Sequence, residues 1–455
     1  MVTQSARTPL TCIVLAAGKG TRMKSDTPKV LHRLAGRAML DHVLDLCGTL
    51  EAQRTVVVVG HGGEAVAHAA AAHPVAAETA VQEPQLGTAH AVGKAEPLVK
   101  GAVGDVLVLY ADTPLITAQS IEDMRVQRAA GASVVVLGFR PDDPGAYGRL
   151  ILDGEGRLDR IVEAKDASAD ELAVDLCNSG VMLVDGAKVW DLVDRVGNAN
   201  AKGEFYLTDI VGIARAQGLS CAVVEADETE VLGVNSRVEL AEAEGILQER
   251  LCRRAMEEGA TMLDPASVHL SWDTQIGRDV VIGPNVVFGP GVVIEDHVEI
   301  RAFCHLEGAR VASGATVGPF ARLRPGAEIG VDAHIGNFVE IKKARIEEGA
   351  KVNHLSYIGD ARVGARANIG AGTITCNYDG FTKSHTDIGA GAFIGSDTLL
   401  IAPVAIADGA YTGSGTVVTK DVPRDALAVS RPDLKIIDGW AARHRARKQQ
   451  RKKAG

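Results

Sequence analysis

The chain lacks long hydrophobic runs and paired cysteines. Its seven cysteines show no CxxC spacing, and neither a secretory signal nor an apolar stretch of about twenty residues occurs. These absences disfavour a disulfide-stapled exported domain and a membrane span. We therefore expect a cytoplasmic protein whose thiols stay reduced.

Two common nucleotide-binding fingerprints are also absent from the glycine-rich segment 15–23. It has neither the GxGxxG spacing of dinucleotide-binding turns nor the Gly-Lys-Ser/Thr ending of a P-loop. Its glycines still let backbone N–H groups approach a base and phosphates, which Lys19, Arg22 and the more distant Lys29 would neutralise. A simple strand-to-helix turn explains the segment equally well.

A period of six residues is the most informative pattern in the chain. From Ile276 to Val418 an aliphatic or similar side chain recurs at every sixth position, with three one-residue slips and a longer interruption after Thr375. This period matches neither an amphipathic helix nor a long alternating strand, so a helical bundle is disfavoured. The pattern resembles the left-handed parallel β-helix of hexapeptide-repeat proteins, in which three hexads form one coil.

The residues before the repeat have a different organisation. Short apolar runs alternate with helix-compatible stretches over 1–235, which predicts a Rossmann-like α/β domain with a mixed, largely parallel sheet. Residues 236–259 are rich in Ala, Glu, Leu and Arg without proline, which predicts a linker helix. The β-helix domain then covers 260–442, and a basic tail covers 443–455.

The basic tail contrasts with a net charge of -10 for the whole chain. It could contact nucleic acid or an acidic surface, but it is short and lacks interleaved aromatic residues. We expect a solvated, disordered end and no specific nucleic-acid partner.

Asp112 follows the apolar run 106–110 and precedes Thr113 and Pro114. A carboxylate at the C-terminal end of a buried strand suits Mg²⁺, which demands hard oxygen ligands. The alternative is that Asp112 caps a turn or a helix.

Motifs spaced through the first domain resemble those of nucleotide-sugar pyrophosphorylases. They are the Leu-x-Ala-Gly-x-Gly-Thr-Arg-Met run with Pro28 and Lys29, then Gln82 and 85–89, 110–112, 145–149, Glu163, 178–180 and 233–235. The resemblance implies Mg²⁺-dependent uridylyl transfer to a sugar 1-phosphate, with Asp112 and Asn235 as the metal ligands. It also implies a UTP and UDP-sugar site of Leu15, Ala16, Ala17, Gly18, Lys29, Gln82, Gly87, Thr88, Tyr110, Ala111, Asp112, Gly148, Glu163, Asn178 and Asn235.

The register of the repeat brings two cations together. Three unbroken hexads separate Leu323 from Ile341, so Arg324 and Lys342 should lie on adjacent coils with backbones about 4.8 Å apart. Like charges at that separation repel by on the order of 1 kcal/mol in water, and a bound anion would reverse the sign. The spacing indicates a phosphate site, although two side chains splayed into solvent would also satisfy it.

His354 follows the inward Val352 by two residues, so it should face outward at a corner, one coil before Ala371. An exposed imidazole beside a phosphate site can act as a general base, because histidine titrates at about pH 6.5. An inert surface histidine is the alternative. Glu340 could orient His354 or could simply form a salt bridge.

Segments 318–326, 336–344, 354–357 and 368–380 resemble the acetyltransferase half of the bacterial bifunctional UDP-N-acetylglucosamine pyrophosphorylase/glucosamine-1-phosphate N-acetyltransferases. The resemblance covers nearly the whole chain and implies a homotrimer in which His354 is the base. It implies sugar-phosphate contacts by Arg324, Lys342, Tyr357 and Asn368. It implies acetyl-CoA contacts by Ala371, Asn377, Tyr378, Ser396, Ser414 and Arg431.

Two residues depart from the family patterns. Ala111 stands where glycine is usual and should tighten the space beside the nucleotide, whereas Ser414 replaces alanine and should leave acetyl-CoA binding intact. Residues 376–387 interrupt the hexads and should protrude as a loop. Cys376 in this loop has no expected nucleophilic role, because direct attack of an amine on a thioester needs no acyl-enzyme.

The sequence thus predicts synthesis of UDP-N-acetylglucosamine in two steps. Acetyl-CoA and glucosamine 1-phosphate would react in the second domain, and UTP and N-acetylglucosamine 1-phosphate in the first. One alternative is a monofunctional sugar-nucleotide pyrophosphorylase with a purely structural, trimerising β-helix. Another is a non-enzymatic scaffold that binds partners through its basic tail.

Overall fold

The computed structural model describes residues 7–18, 20–60, 62–101, 103–200, 202–430 and 433–453. Lys19 of the glycine-rich segment and the predicted acetyl-CoA ligand Arg431 lie outside the described residues. The chain separates into two compact units, with the division after Arg253.

The first unit is an α/β domain, as predicted. Its strands are β1 Leu10–Ala16, β2 Arg33–Leu34, β3 Arg37–Ala38, β4 Arg54–Gly60, β5 Glu78–Gln82, β6 Asp105–Tyr110, β7 Val134–Phe139, β8 Arg149–Leu152, β9 Leu158–Val162, β10 Cys177–Asp185 and β11 Cys221–Glu225. Its helices are α1 Met39–Thr49, α2 Glu64–Ala72, α3 Thr88–Val99, α4 Ala118–Ala129, α5 Ala169–Leu172, α6 Val189–Asp194 and α7 Asp209–Ala216, with short 3-10 helices at Thr21–Met23, Lys29–Leu31 and Glu228–Glu230.

The central sheet has the order β11-β7-β10-β6-β1-β4-β5 and is mixed. Strand β10 runs antiparallel to both of its neighbours, and the other neighbours in this order are parallel. Alternate residues of one strand point to opposite faces, so Val14 and Ile13 of β1 belong to two separate buried clusters. Helices cover both clusters, which explains why the strands read as continuous apolar runs.

Helix α8, Arg237–Glu257, occupies the position of the predicted linker helix. Its N-terminal part belongs to the first unit, because Ala243 packs in a buried cluster with Leu34 and Met39. The Glu244 carboxylate accepts a hydrogen bond of 2.7 Å from the backbone N–H of Ala35. This part of the predicted linker is therefore integrated into the α/β domain.

The second unit is a parallel β-helix, as the six-residue period predicts, with a 3-10 turn at Pro265–Ser267 between its first two strands. Its strands are β12 Thr261–Met262, β13 Gln275–Ile276, β14 Val281–Ile282, β15 Val287–Phe288, β16 Val293–Ile294, β17 Glu299–Ile300, β18 His305–Leu306, β19 Ala309–Val311, β20 Thr316–Val317, β21 Arg322–Leu323, β22 Ala327–Ile329, β23 His334–Asn337, β24 Glu340–Ile346, β25 Lys351–His354, β26 Tyr357–Val363, β27 Asn368–Ile369, β28 Ile374–Cys376, β29 Thr386–Ile388, β30 Phe393–Ile394, β31 Leu399–Ile401, β32 Val404–Ile406, β33 Tyr411–Thr412, β34 Val417–Val418 and β35 Leu427–Ala428.

Equivalent strands of successive coils pair in parallel, and their aliphatic side chains fill the interior. Leu323 pairs with Ile341 and Ile341 with Ile358, and all three side chains are buried. The glycines after the inward residues are needed for close stacking. At Gly336, for example, a Cβ atom would lie 1.9 Å from the backbone oxygen of Asn353.

Two of the three slips in the hexad pattern have a visible structural origin. Strands β24 and β26 each continue through a corner of the coil instead of ending before it. Lys343 and Asp360 make these corners with positive φ angles of 44° and 46°. The shorter corner removes one residue from the hexad.

The basic tail differs from its prediction as a disordered end, because Trp440–Lys453 forms helix α9. Its sequence is rich in Ala, Arg, Lys and Gln, which have high helix propensity, and it contains neither proline nor glycine. The cluster of like charges predicted disorder, but the high helix propensity of these residues favours a helix. Among the described helices, α9 included, none is long and apolar enough to cross a membrane.

Candidate active sites

A cavity of about 620 Å³ opens in the first unit, near the C-terminal ends of β1 and β6. Parallel strands bring their C-terminal ends to one edge of a sheet, which is where ligands bind in open α/β sheets. Most of the predicted nucleotide-site residues line this cavity. They are Leu15, Ala16, Ala17, Gly18, Lys29, Gln82, Gly87, Thr88, Tyr110, Asp112, Glu163 and Asn178.

Three predicted residues lie just outside the cavity lining. The backbone oxygen of Gly148 accepts a hydrogen bond of 2.8 Å from Asn178, and Asn235 contacts Lys29. Ala111 is buried in the hydrophobic core, between Tyr110 and Asp112, which both line the cavity.

Lys29, Asp112 and Asn235 form a compact polar cluster at the cavity. The Lys29 ammonium forms a short ion pair with the Asp112 carboxylate and lies 3.0 Å from the side-chain oxygen of Asn235. The side chains of Lys29 and Asp112 are only 10% and 22% exposed, so solvent screens this pair weakly. The backbone N–H of Val234 donates to the Asp112 carbonyl at 2.8 Å, which ties the two segments together.

The same cluster has the donor set of a magnesium site that is completed by a substrate. A carboxylate oxygen and an amide oxygen both contact one cationic group, and both are hard ligands. Within the described ranges, no group of three or more His, Cys, Asp or Glu side chains could hold a metal on its own. Phosphate and water oxygens would therefore have to supply the remaining ligands.

Gln82 and Gly87 both line the cavity and are hydrogen-bonded to each other. The buried Gln82 amide donates to the Gly87 carbonyl at 2.8 Å, and Gln85 donates to the carbonyl of Ala17. Gly87 has a φ of 117°, and a Cβ atom there would lie 2.5 Å from the backbone oxygen of Phe205. A glycine is therefore required at this position.

The segment 202–208 also forms part of the cavity wall, although no sequence motif identified it. Four of its side chains line the cavity, namely Lys202, Glu204, Tyr206 and Thr208. The Thr208 hydroxyl donates to the Glu163 carboxylate at 3.3 Å. Burial raises the pKa of Glu163, and burial with the nearby Asp112 and Glu163 carboxylates raises the pKa of Tyr110.

In the second unit, the predicted pairing of Arg324 with Lys342 is confirmed by strand register. Leu323 pairs with Ile341, and the N–H of Arg324 donates to the Ile341 carbonyl at 2.8 Å. Glu340 forms a salt bridge of 2.8 Å with Arg324, which is the second of the two roles considered for Glu340 from the sequence. It neutralises a cation and is not hydrogen-bonded to His354.

Lys383 was not predicted from the sequence, and it adds a further cation to this site. It belongs to the exposed loop between β28 and β29, which protrudes as predicted; Phe381 in this loop is 94% exposed. The like charge of Lys342 lowers the pKa of Lys383, since two neighbouring ammonium groups repel. The cations of Lys342 and Lys383 therefore converge.

His354 is exposed at a corner of the β-helix, as predicted. Its Nδ1 atom lies 2.7 Å from Oδ1 of Asn337, a residue that sequence reasoning did not select. The signal was available, since Asn337 follows the inward Ile335 by two residues, just as His354 follows Val352.

Predicted acetyl-CoA residues continue the column in which His354 stands. Strand pairing of Val352 with Ile369 and of Ile369 with Ile394 carries the column from His354 to Ala371 and on to Ser396. The pairing of Phe393 with Tyr411 extends it to Ser414. Residues far apart in sequence thus stand one coil apart, at about 4.8 Å per step.

Tyr357 and Asn368 lie on the two faces that meet at the His354 corner. The amide nitrogen of Asn377 donates to the Asp360 carboxylate at 2.6 Å and approaches the Tyr357 hydroxyl at 3.4 Å. Tyr378 is exposed on the loop, where its hydroxyl donates to the Gly380 carbonyl. Burial raises the pKa of the Cys376 thiol, which disfavours a nucleophilic thiolate.

The two units together define a nucleotidyltransferase joined to a hexapeptide-repeat transferase. Residues 12–171 match the MobA-like NTP transferase domain family. Residues 273–308 match the bacterial transferase hexapeptide family, which comprises six repeats.

Near full-length relatives identify the family more closely. The chain is 58% identical to the bifunctional protein GlmU of Paramagnetospirillum magneticum, over 98% of this chain and 99% of the relative. It is 57% identical to the GlmU protein of Cereibacter sphaeroides over 96% of each chain, and 52% identical to that of Jannaschia sp. over 98% and 97%. The chain belongs to the GlmU family of bifunctional proteins.

Family membership confirms the prediction of a bifunctional nucleotidyltransferase and acetyltransferase. The monofunctional alternative, with a β-helix that serves only as a scaffold, is not supported. The non-enzymatic alternative is likewise set aside by the transferase families that match both units.

Proposed function

We propose that this chain makes UDP-N-acetylglucosamine from glucosamine 1-phosphate, with N-acetylglucosamine 1-phosphate as the intermediate shared by its two units. Two observations carry this proposal: the column of His354, Ala371, Ser396 and Ser414, and the strand register that aligns the cations of Arg324 and Lys342 in the same β-helix. A purely structural β-helix needs neither an exposed histidine in such a column nor aligned like charges.

Acetyl transfer begins with glucosamine 1-phosphate held by its phosphate. Arg324, Lys342 and Lys383 supply the cations, and their mutual repulsion favours an anion between them. Tyr357 and Asn368 flank the corner and position the sugar, so that its 2-amino group faces His354. Such positioning converts a bimolecular encounter into a reaction within one complex.

His354 then acts as the general base. Its ring takes a proton from the amine as the nitrogen attacks the thioester carbonyl carbon of acetyl-CoA. The C–S bond breaks, CoA leaves as the thiol after accepting that proton, and the acetyl group remains on nitrogen. Ala371, Asn377, Tyr378, Ser396 and Ser414 line the path proposed for acetyl-CoA, and Arg431 is a further proposed contact.

Uridylyl transfer takes place in the cavity of the first unit. An oxygen of N-acetylglucosamine 1-phosphate attacks the α-phosphorus of UTP, and pyrophosphate leaves. Lys29 neutralises phosphate charge, while Gln82, Gly87 and Thr88 bind the nucleoside. Gly148, Glu163 and Asn178 hold the sugar, with Thr208 supporting the Glu163 carboxylate.

Asp112 and Asn235 are the proposed magnesium ligands. Their two oxygens already share one cation, the Lys29 ammonium, which supports a cation site at this position. Bound Mg²⁺ would neutralise the charge of the triphosphate during displacement.

A homotrimer is the proposed assembly, and an exposed aromatic column supports it. Phe303, Phe320 and Phe338 stack on successive coils with ring centroids 4.9 and 5.1 Å apart, and each side chain is about half exposed. An apolar strip of this kind is typical of a protein interface. Sedimentation velocity of Phe320→Glu, with Phe381→Glu on the loop as control, tests whether the column is buried between copies.

The decisive experiment follows each product separately in one reaction that contains glucosamine 1-phosphate, acetyl-CoA, UTP and Mg²⁺. His354→Ala should abolish CoA release but retain uridylyl transfer to supplied N-acetylglucosamine 1-phosphate. Asp112→Asn should do the reverse. His297→Ala and Asp123→Asn, at exposed positions in the same units, serve as controls. No acetylation by the wild-type chain would refute the proposal.

A further inference from the structure

Asn337 and His354 stand directly one above the other on successive coils. Asn337 ends strand β23 and His354 ends β25, and the two residues are strand partners. Their side chains meet at 2.7 Å, between Oδ1 of the amide and Nδ1 of the imidazole. The Asn337 backbone oxygen also accepts a hydrogen bond of 3.1 Å from Leu355, the residue after His354.

The chemistry of this contact selects one tautomer of His354. The amide oxygen can only accept a hydrogen bond, so Nδ1 must carry the proton. In the neutral ring, the lone pair then lies on Nε2, the nitrogen that points away from Asn337. Only that tautomer presents a base to a substrate outside the coil.

Nothing else in the described part of the chain fixes this ring. Asn337 is the only hydrogen-bond partner that the described residues offer to the His354 imidazole, and no described carboxylate lies within 4.0 Å of it. The titratable or charged side chains on the strands packed around this corner are His334 on β23, Glu340, Lys342, Lys343 and Arg345 on β24, Lys351 on β25, and Tyr357, Asp360 and Arg362 on β26. Glu340 is already engaged by Arg324.

We infer that Asn337 is the positioning residue of the acetyl-transfer site, which holds His354 in the Nδ1-protonated tautomer with Nε2 directed to the substrate amine. The inference rests on the proposed role of His354 as the base. Asn337 does the work that a carboxylate does in a Ser-His-Asp triad, but without a charge. A neutral partner orients the ring without placing a carboxylate beside it.

Two substitutions at residue 337 separate positioning from mere packing. Asn337→Leu removes the acceptor but keeps a side chain branched at Cγ, and it should lower kcat for acetyl transfer by about 10- to 100-fold, with little change in KM for glucosamine 1-phosphate. Asn337→Asp keeps the acceptor and adds a charge that stabilises the imidazolium. The acidic limb of its pH–rate profile should therefore move upward by about 1–3 pH units.

Controls come from the same chain. Asn285→Asp places the same charge at an exposed corner three coils from Asn337 along the stack and should leave the pH profile unchanged. Uridylyl transfer, measured in each sample, reports on the integrity of the first unit. The Asp variant is isosteric, so it keeps the test valid if the Leu variant does not fold.

The results separate two hypotheses, the role of Asn337 as positioning residue and the role of His354 as general base. If His354→Ala retains acetyl transfer, the base assignment itself fails. If His354→Ala is inactive, while Asn337→Leu keeps full activity or Asn337→Asp slows the reaction without moving the acidic limb, then only the role of Asn337 is overturned.

Discussion

The Nζ atom of Lys29 lies 3.0 Å from Oδ1 of Asn235 and also pairs with the Asp112 carboxylate. The chain therefore places its own cation between the two oxygens that are proposed to bind Mg²⁺. A metal ion held by Asp112 and Asn235 would compete with the Lys29 ammonium for the same pair of oxygens, so Lys29 would have to give up these contacts.

Lys29→Met should therefore have opposite effects on metal binding and on catalysis. Without the competing ammonium, Mn²⁺ should bind the nucleotide-free protein more tightly, as measured by electron paramagnetic resonance. Uridylyl transfer should fall by about 10²-fold, because a phosphate contact is lost. Lys24→Met, at an exposed position nearby, should change neither quantity. Unchanged or weaker Mn²⁺ binding in Lys29→Met would contradict the competition.

Arg324→Ala should raise KM for glucosamine 1-phosphate in acetyl transfer by about 10- to 100-fold, since one charge-assisted hydrogen bond to phosphate contributes about 1.5–3 kcal/mol. Arg322 is the matched control. It lies 4.0 Å from the same Glu340 carboxylate, but it aligns with Glu340 and not with Lys342. Equal effects of the two alanine variants on KM would argue against a specific phosphate site.

Binding of glucosamine 1-phosphate should be accompanied by proton uptake at alkaline pH. The neighbouring Lys342 lowers the pKa of Lys383, and a phosphate between the two cations would raise it again. Calorimetry in buffers of different ionisation enthalpy measures the uptake directly. Lys383→Met should abolish the uptake, whereas Lys343→Met, at an exposed position on β24, should preserve it.

Glu163→Gln should stabilise the first unit at neutral pH while weakening sugar binding. Burial raises the pKa of Glu163, so the folded state binds this proton more tightly than the unfolded chain does. The free energy of unfolding therefore falls as pH rises from the ordinary glutamate pKa through the raised one. The advantage of Glu163→Gln should grow over that pH range in denaturant titrations, and Glu155→Gln on the surface should show no such trend.

Thr375 occupies an inward position of the hexad pattern, where an aliphatic residue is the rule. Its buried hydroxyl accepts a hydrogen bond of 2.8 Å from the backbone N–H of Gly359. Thr375→Val should destabilise the β-helix by about 1–3 kcal/mol, because that N–H loses its partner. Thr375→Ser should cost less. A gain in thermal stability for Thr375→Val would show that packing outweighs the hydrogen bond.

Much of the acetyltransferase site could be predicted because its geometry is local. Each coil adds a nearly constant number of residues, so counting hexads places Arg324 against Lys342 and His354 against Ala371. The count alone could not decide between Asn337 and Glu340 as the partner of His354. That choice depended on which way each side chain turns, and Arg324 engages Glu340.

The site in the first unit was predictable in a different way. Its motif residues are spread from Leu15 to Asn235, and resemblance to a family named them without showing how they meet. The segment 202–208 carried no motif, and only the fold brings Tyr206 and Thr208 to the cavity wall. Lys383 was missed for a similar reason, since the path of its loop is not encoded in the repeat.

The sequence by itself determined the two architectures, the coil register and the family, because periodicity and spaced motifs reflect backbone constraints that act residue by residue. The tertiary structure alone decided which polar atoms face each other: Lys29 between two oxygens, Asn337 on His354 and Glu340 on Arg324. Those contacts depend on side-chain direction and on the competition of each group for the nearest opposite charge. Both are settled only when the coils and the sheet edge are assembled.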